Sequence, residues 1–309
     1  MSSETFTIPL LHNTVGIMTP FLLAAIGGLF TELAGVLNIA LEGLMLIGAF
    51  FSVVFAAATG SLLLGIILGI GAAVLMAYVF GAVSLRLRAN IFITGLATNL
   101  FASGITVVLA FQIFGNKGVV RFENLPDLPV LRVPALEGIP VLGDLLFGHN
   151  IFVYLSWIAV IITAVVIYKT PFGLRIRGTG HNPATISSLG LKPRRYQLYG
   201  ICISGFTCGL AGAMLTLNMG AFVPEITSGR GWIALVAIYL GNKTPLGILI
   251  ASFVFGFAES FSNFAQGLIN IPADFILAFP YIITVVAMIG YSIWKYYRAN
   301  KNHTAGGFS

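Results

Sequence analysis

Asn38, Glu42, Asn99 and Glu259 each stand in a stretch otherwise apolar enough to be buried in lipid. A carboxylate at the centre of a bilayer costs about 3 kcal/mol on helix-insertion scales, so such a group faces a cavity or a partner. The chemistry open to these four is hydrogen bonding to a polar solute or binding of a coupling ion. For Glu42, and for Glu32 nearby, a second reading stands beside the first: a place near the membrane interface, where a carboxylate stabilises a helix start. Thr94, Ser103 and Gln112 share the stretch of Asn99, and either line a polar path with it or bond back to helix carbonyls. His12, His149, His181 and His303 are scattered, without metal-ligand or nucleophile-base spacing. Cys202 and Cys208 lie within one apolar run and read as small core residues rather than a disulfide. No catalytic residue, metal or cofactor is expected.

The elements that must hold these groups are membrane spans. Of the 309 residues, 58% are apolar and 8% charged, and the mean hydropathy is +0.97. Runs of about 20 residues nearly free of charge match a hydrocarbon layer of roughly 30 Å at 1.5 Å per residue. The pattern excludes a soluble fold and predicts an all-α, polytopic transmembrane bundle that forms one domain over residues 1–309. Spans are expected near residues 8–30, 44–58, 62–85, 91–114, 151–168, 196–219, 233–240, 246–265 and 274–294. These make about nine crossings with the N-terminus outside, or ten if the Asn38 region is a re-entrant break. The net charge of +6 does not point to nucleic acid, because the basic residues cluster at the ends of apolar runs. Residues 1–7 carry Glu4 and no Lys or Arg, which argues against a cleaved signal peptide.

Loop charge sets the orientation. Residues 169–195 hold Lys169, Arg175, Arg177, Lys192, Arg194 and Arg195 and no acidic residue, and the 86–90 turn holds Arg86 and Arg88. Short basic loops stay on the cytoplasmic side. Lys295, Arg298 and Lys301, with Tyr296 and Tyr297, form a matching anchor after the last span. Residues 115–150 lack positive bias and contain Pro126, Pro129, Pro134 and Pro140, so they form an extracytoplasmic loop of short extended pieces. That loop serves either as a docking surface for a partner or as a surface cover.

Within the basic loop, Asn182 suits an N-cap, Pro183 the first helical position and Gly190 a left-handed terminus. A helix of about two turns is expected, too short to stand alone in water. Ile186 and Leu189, three apart, are expected to share an apolar docking face. The plainer reading is a solvated loop with a chance helical turn. Near residue 229, Gly229-Arg-Gly231-Trp232 opens a short apolar piece bracketed by glycine-rich turns, as the Glu42 region is. The two places read as corresponding broken segments in two halves of one fold. Residues 241–245 form a tight turn that lacks phosphate-loop spacing.

Three segments resemble one family. Asn38-Ile-Ala-Leu-Glu42-Gly43 is similar to the Asn-Ile-Gly-(Leu/Ile)-Glu-Gly segment of permease subunits of ATP-binding-cassette importers, in the branched-chain amino acid and ribose permease family. Phe172-Gly173-Leu-Arg175-Ile-Arg177-Gly178-Thr-Gly180-His-Asn182-Pro183 resembles the family's loop before its coupling helix, and Gly229-Arg-Gly231-Trp232 with Gly241 and Pro245-Leu-Gly247 its later signature. The likeness is nearest to the nucleoside and simple-sugar branch. Ala40 replaces the usual glycine and leaves less room for a sharp break. The resemblance implies that residues 169–195 are a cytoplasmic coupling loop whose Asn182, Pro183, Ile186, Leu189 and Gly190 meet a separate ABC ATPase subunit. It further implies a second permease subunit, identical or related, an extracytoplasmic substrate-binding protein, and residence in the cell membrane. Asn38, Glu42, Asn99 and Glu259 become candidates for the substrate path of a small solute, nucleoside or sugar. The alternative is an ion-coupled secondary transporter using Glu42 and Glu259.

Overall fold

With no water in a bilayer core to satisfy amides and carbonyls, an apolar chain must bond its backbone to itself, and this one does so almost wholly as helix. The computed structural model describes residues 4–123, 125–130 and 147–266, with a few isolated positions between 282 and 293. Ten α-helices occur among them: α1 Glu4–Leu33, α2 Leu41–Thr59, α3 Leu62–Gly81, α4 Ile91–Phe114, α5 Ile151–Lys169, α6 Pro171–His181, α7 Pro183–Ser188, α8 Pro193–Met219, α9 Arg230–Leu240 and α10 Pro245–Gln266. A π-helical turn, Ala82–Arg86, extends α3. Two short strands, β1 Val120–Arg121 and β2 Ala221–Phe222, pair antiparallel with Val120 opposite Phe222.

Seven of these helices are long and apolar enough to cross a membrane. Of the nine expected crossings, eight fall on the described residues, and seven of those eight are membrane-length helices; the exception is α9. Its 11 residues span about 16 Å at 1.5 Å per residue, half a bilayer, so the run expected as a crossing is a half-helix. The last expected span, residues 274–294, lies outside the described residues but for a few isolated positions, its basic anchor lies outside them entirely, and so do residues 124 and 131–146 of the 115–150 loop.

The centre of the bundle is α1 with α2 and α8. The membrane-length windows of α1 and α8 are 89% and 72% buried, against 22% for α3 and α4, whose outer faces carry Leu63, Leu75, Ile93 and Leu100. Large apolar side chains pointing outward are what lipid contact requires. Small residues let the central helices meet backbone to backbone. A Cβ on Gly212 of α8 would lie 2.0 Å from the Met45 carbonyl oxygen of α2, and one on Gly48 would lie 2.6 Å from the Gly209 Cα. Thr216 Oγ1 adds a 2.8 Å bond to the Ala49 carbonyl across the same contact.

The helix ends form two groups. Arg86, Arg88, the residues of α6 and α7, and Lys243 gather where α1 finishes, as the donation of Gln197 Nε2 to the Ala34 carbonyl at 3.4 Å shows. At the other end, Ser260 Oγ of α10 donates to the Leu10 carbonyl of α1 at 3.0 Å, and β1 pairs with β2.

Candidate functional site

The four polar residues singled out by their membrane depth meet where the chain twice gives up its helix. The first break follows α1. Gly35, at φ 76°, ends the helix, and the Asn38 side chain then shapes the link. Asn38 Oδ1 accepts from the Ala40 N–H at 3.0 Å, while its Nδ2 donates to Ser204 Oγ of α8 at 2.7 Å. Ala40 sits at φ −76°, a conformation any residue adopts, so the break needs no glycine there and the expectation of a less sharp break is corrected. Asn99, from the middle stretch of α4, completes the link: its Oδ1 accepts from the Gly43 N–H at 2.8 Å and its Nδ2 donates to the Ile39 carbonyl at 3.0 Å.

The second break precedes α9, and Glu42 joins it to the first. Glu42 is 9% exposed; Oε1 accepts from the Gly229 N–H at 2.8 Å and Oε2 from the Gly231 N–H at 2.6 Å. Backbones touch here, since a Cβ on Gly231 would lie 2.5 Å from the Glu42 nitrogen. Two helix N-termini thus converge inside the bundle, each equivalent to about +0.5 charge, and one carboxylate lies between them. Of the two readings of Glu42, a helix-start role is the one its contacts show, but the helix it caps is α9, far along the chain. Glu32 is different. It lies in the last turn of α1 rather than at a start, where its carboxylate meets Lys243 Nζ at 2.7 Å and the Tyr239 hydroxyl at 3.1 Å.

Glu259 of α10 completes the junction through Arg230, whose Nη2 lies 2.5 Å from Glu259 Oε1 and whose Nη1 donates to the Ile226 carbonyl at 3.1 Å. Arg230 and Lys243 are the partners that sequence reading missed. The signal was there: a charge in an apolar segment must be paired, and Glu32 and Glu259 each needed a cation. Ser103 does not bond back within α4 through this contact; its hydroxyl donates to the Glu225 carboxylate in the turn before α9. Thr94 sits near the basic end with its hydroxyl on the Asn90 carbonyl, the back-bonding alternative.

At the basic end, the short helix α7 forms where the caps placed it. Asn182 Oδ1 accepts from the Ala184 and Thr185 N–H groups at 3.0 and 3.2 Å, Pro183 opens the helix, and Gly190 takes φ 76°. The shared face expected of Ile186 and Leu189 is corrected. Ile186 is 7% exposed and lies over Gly178 of α6, whereas Leu189 is 68% exposed. The physical reason is that α7 has only six residues and folds back on α6, so its one inward position goes to its own loop. α6 in turn seats on the first break: a Cβ on Gly180 would lie 2.2 Å from the Leu33 carbonyl oxygen. Arg194 and Arg195 at the start of α8 are exposed.

The chain matches the branched-chain amino acid transport system / permease component family over residues 10–288. It is 35% identical to the guanosine ABC transporter permease protein NupQ of Bacillus subtilis, over 88% of this chain and 88% of that one. Its identity to the nucleoside ABC transporter permease protein NupC of Lactococcus lactis is 32%, over 87% and 88%. A second Bacillus subtilis protein, the guanosine ABC transporter permease protein NupP, is 24% identical over 90% and 78%. No solved structure gives a significant match. Seven membrane-length helices, two helix breaks joined by Glu42 and a family match over nearly the whole length lead to one conclusion: this chain belongs to the branched-chain amino acid transport system permease family and is a multi-pass membrane permease.

Proposed function

We propose that the chain, as a single transmembrane unit, is a permease subunit of an ATP-driven importer that carries nucleosides into the cytoplasm through the cell membrane, with simple sugars as the second choice of solute. The observation that carries this reading is the 35% identity to a guanosine permease across 88% of both chains. Positive charge at the end formed by α6 and α7 supports a cytoplasmic side for that end. There Leu189, exposed beside the basic start of α8, together with the Asn182-capped helix, offers a small apolar and cationic handle to an ABC ATPase. α6 links the handle to the break after α1 through Gly180, so movement of the ATPase reaches the path by a rigid route.

Two Bacillus subtilis permeases with guanosine in their names match this chain at 35% and 24% identity, which supports pairing with a second, non-identical permease subunit. The β1–β2 end faces outward in this arrangement and receives a substrate-binding protein. An ion-coupled mechanism gains no support, because the Glu42 and Glu259 carboxylates are already held by backbone amides and by Arg230. The test is uptake of radiolabelled guanosine into proteoliposomes holding the chain with its ATPase and sister permease. Uptake that requires ATP is expected. Uptake by this chain alone, without nucleotide and driven by an ion gradient, would overturn the assignment.

A further inference from the structure

Satisfied polar groups leave a question about which residue meets the solute. Asn38, Glu42, Asn99 and Glu259 are all engaged by the protein itself and frame the junction. Glu225 differs from them in being exposed. Among the described residues, the hydrogen bond seen to its carboxylate comes from the hydroxyl of Ser103, near the middle of the 24-residue α4. Halfway along a membrane span, an exposed carboxylate cannot face lipid; it faces a water-filled cavity or another protein surface.

The backbone around it is strained as well. Glu225 and Ser228 adopt φ 56° and 44°, the left-handed region that non-glycine residues enter at a cost of about 1 kcal/mol each. Between them, Thr227 is fully buried and its hydroxyl has no hydrogen-bond partner. Such a turn is poised to rearrange, since changing its conformation recovers both costs. Gly229, at its end, is bound to Glu42, so the turn moves against a fixed base.

Resting on the reading of the chain as a solute permease, we propose that the 223–229 turn is this chain's wall of the solute path and that Glu225 binds the solute, exchanging Ser103 for hydroxyl or N–H donors of the cargo. An ionised carboxylate only accepts hydrogen bonds, so the site selects neutral solutes rich in donors and repels phosphate or carboxylate groups. No free cation offsets this at the same level among the described residues, because Arg230 is spent on Glu259. A ribose or hexose with adjacent hydroxyls can bond both oxygens at once.

The experiment uses the complete importer in vesicles. Cys202 and Cys208 are replaced by Ala, E225C is introduced, and the position is probed with a charged, membrane-impermeant thiol reagent. Reaction slowed at least about threefold is expected when guanosine is supplied at a concentration high enough to fill the path despite the lost carboxylate, and E225A and E225Q should lower guanosine uptake at limiting concentration at least about tenfold while ATPase co-purification persists. A thiol at 225 that never reacts, one that cross-links the two permease subunits, or an E225Q importer with wild-type uptake overturns the proposal. A thiol that reacts from water in an importer unable to carry guanosine, but protected by the sugar that it does carry, supports the wall and overturns the nucleoside reading alone.

Discussion

The junction at mid-depth and the loop at the basic end are both built around a helix N-terminus, yet they treat it in opposite ways. At the junction, the α9 start is capped from a distant part of the chain by Glu42, a buried charge with both oxygens engaged. In the loop, the α7 start is capped locally by Asn182, a neutral side chain in water, and the residues beyond it are left open, Leu189 above all. In lipid an unsatisfied amide has no alternative partner, so the cap must be strong and internal. In water the amide can always be solvated, so a weak local cap suffices and the surface is free to bind a partner. On the proposed function, the contrast separates the part of the permease that holds the fold from the part that would meet an ATPase.

Substitutions at five positions sharpen or break this contrast. Glu42→Ala leaves two N–H groups inside the bundle without a charged acceptor, which at about 1.5–3 kcal/mol each predicts a loss of about 3–6 kcal/mol and little folded protein after detergent extraction. Glu42→Gln, which keeps an acceptor oxygen, should recover part of it; a thermal midpoint for the Ala variant equal to wild type would break the comparison at its root. Gly180→Ala drives a Cβ into the Leu33 carbonyl and is expected to cost about 1–3 kcal/mol, with ATPase binding kept and guanosine uptake lost, read by pull-down and uptake on the same vesicles. Ile186→Asp removes the residue that seats α7 on α6, a burial worth about 2 kcal/mol, and hydrogen exchange should show residues 182–191 unprotected while the spans stay protected. Asn182→Ala removes a cap worth about 1 kcal/mol and should weaken ATPase binding a few-fold, as titration of the ATPase against permease in nanodiscs would show. Leu189→Asp should change permease stability by less than about 0.5 kcal/mol and still abolish ATPase co-purification. Retained co-purification would remove Leu189 from the handle.

Much of the site was legible because bilayer physics is unforgiving. Glu42, Asn38, Asn99 and Glu259 were nominated only for being polar at membrane depth, and the structure brings all four to one junction. The Asn182-Pro183-Gly190 capping pattern was legible for a similar reason, since each signal acts within four residues of its helix end. What could not be read was pairing. Nothing local says that Glu42 caps α9 rather than its own helix, that Arg230 turns to Glu259, or that Ile186 faces inward while Leu189 faces out. Those outcomes depend on which helix lies beside which.

By itself the sequence determined that the chain crosses a membrane many times, which loops carry the positive charge, and where most of the long helices run, because hydropathy, charge and capping are summed over neighbours in the chain. Only the tertiary structure decided that α9 is a half-helix resting on the start of α2, and that a carboxylate buried between two helix N-termini holds the breaks together. Contacts of that kind join residues more than a hundred positions apart, and their energies exist only once the helices are packed.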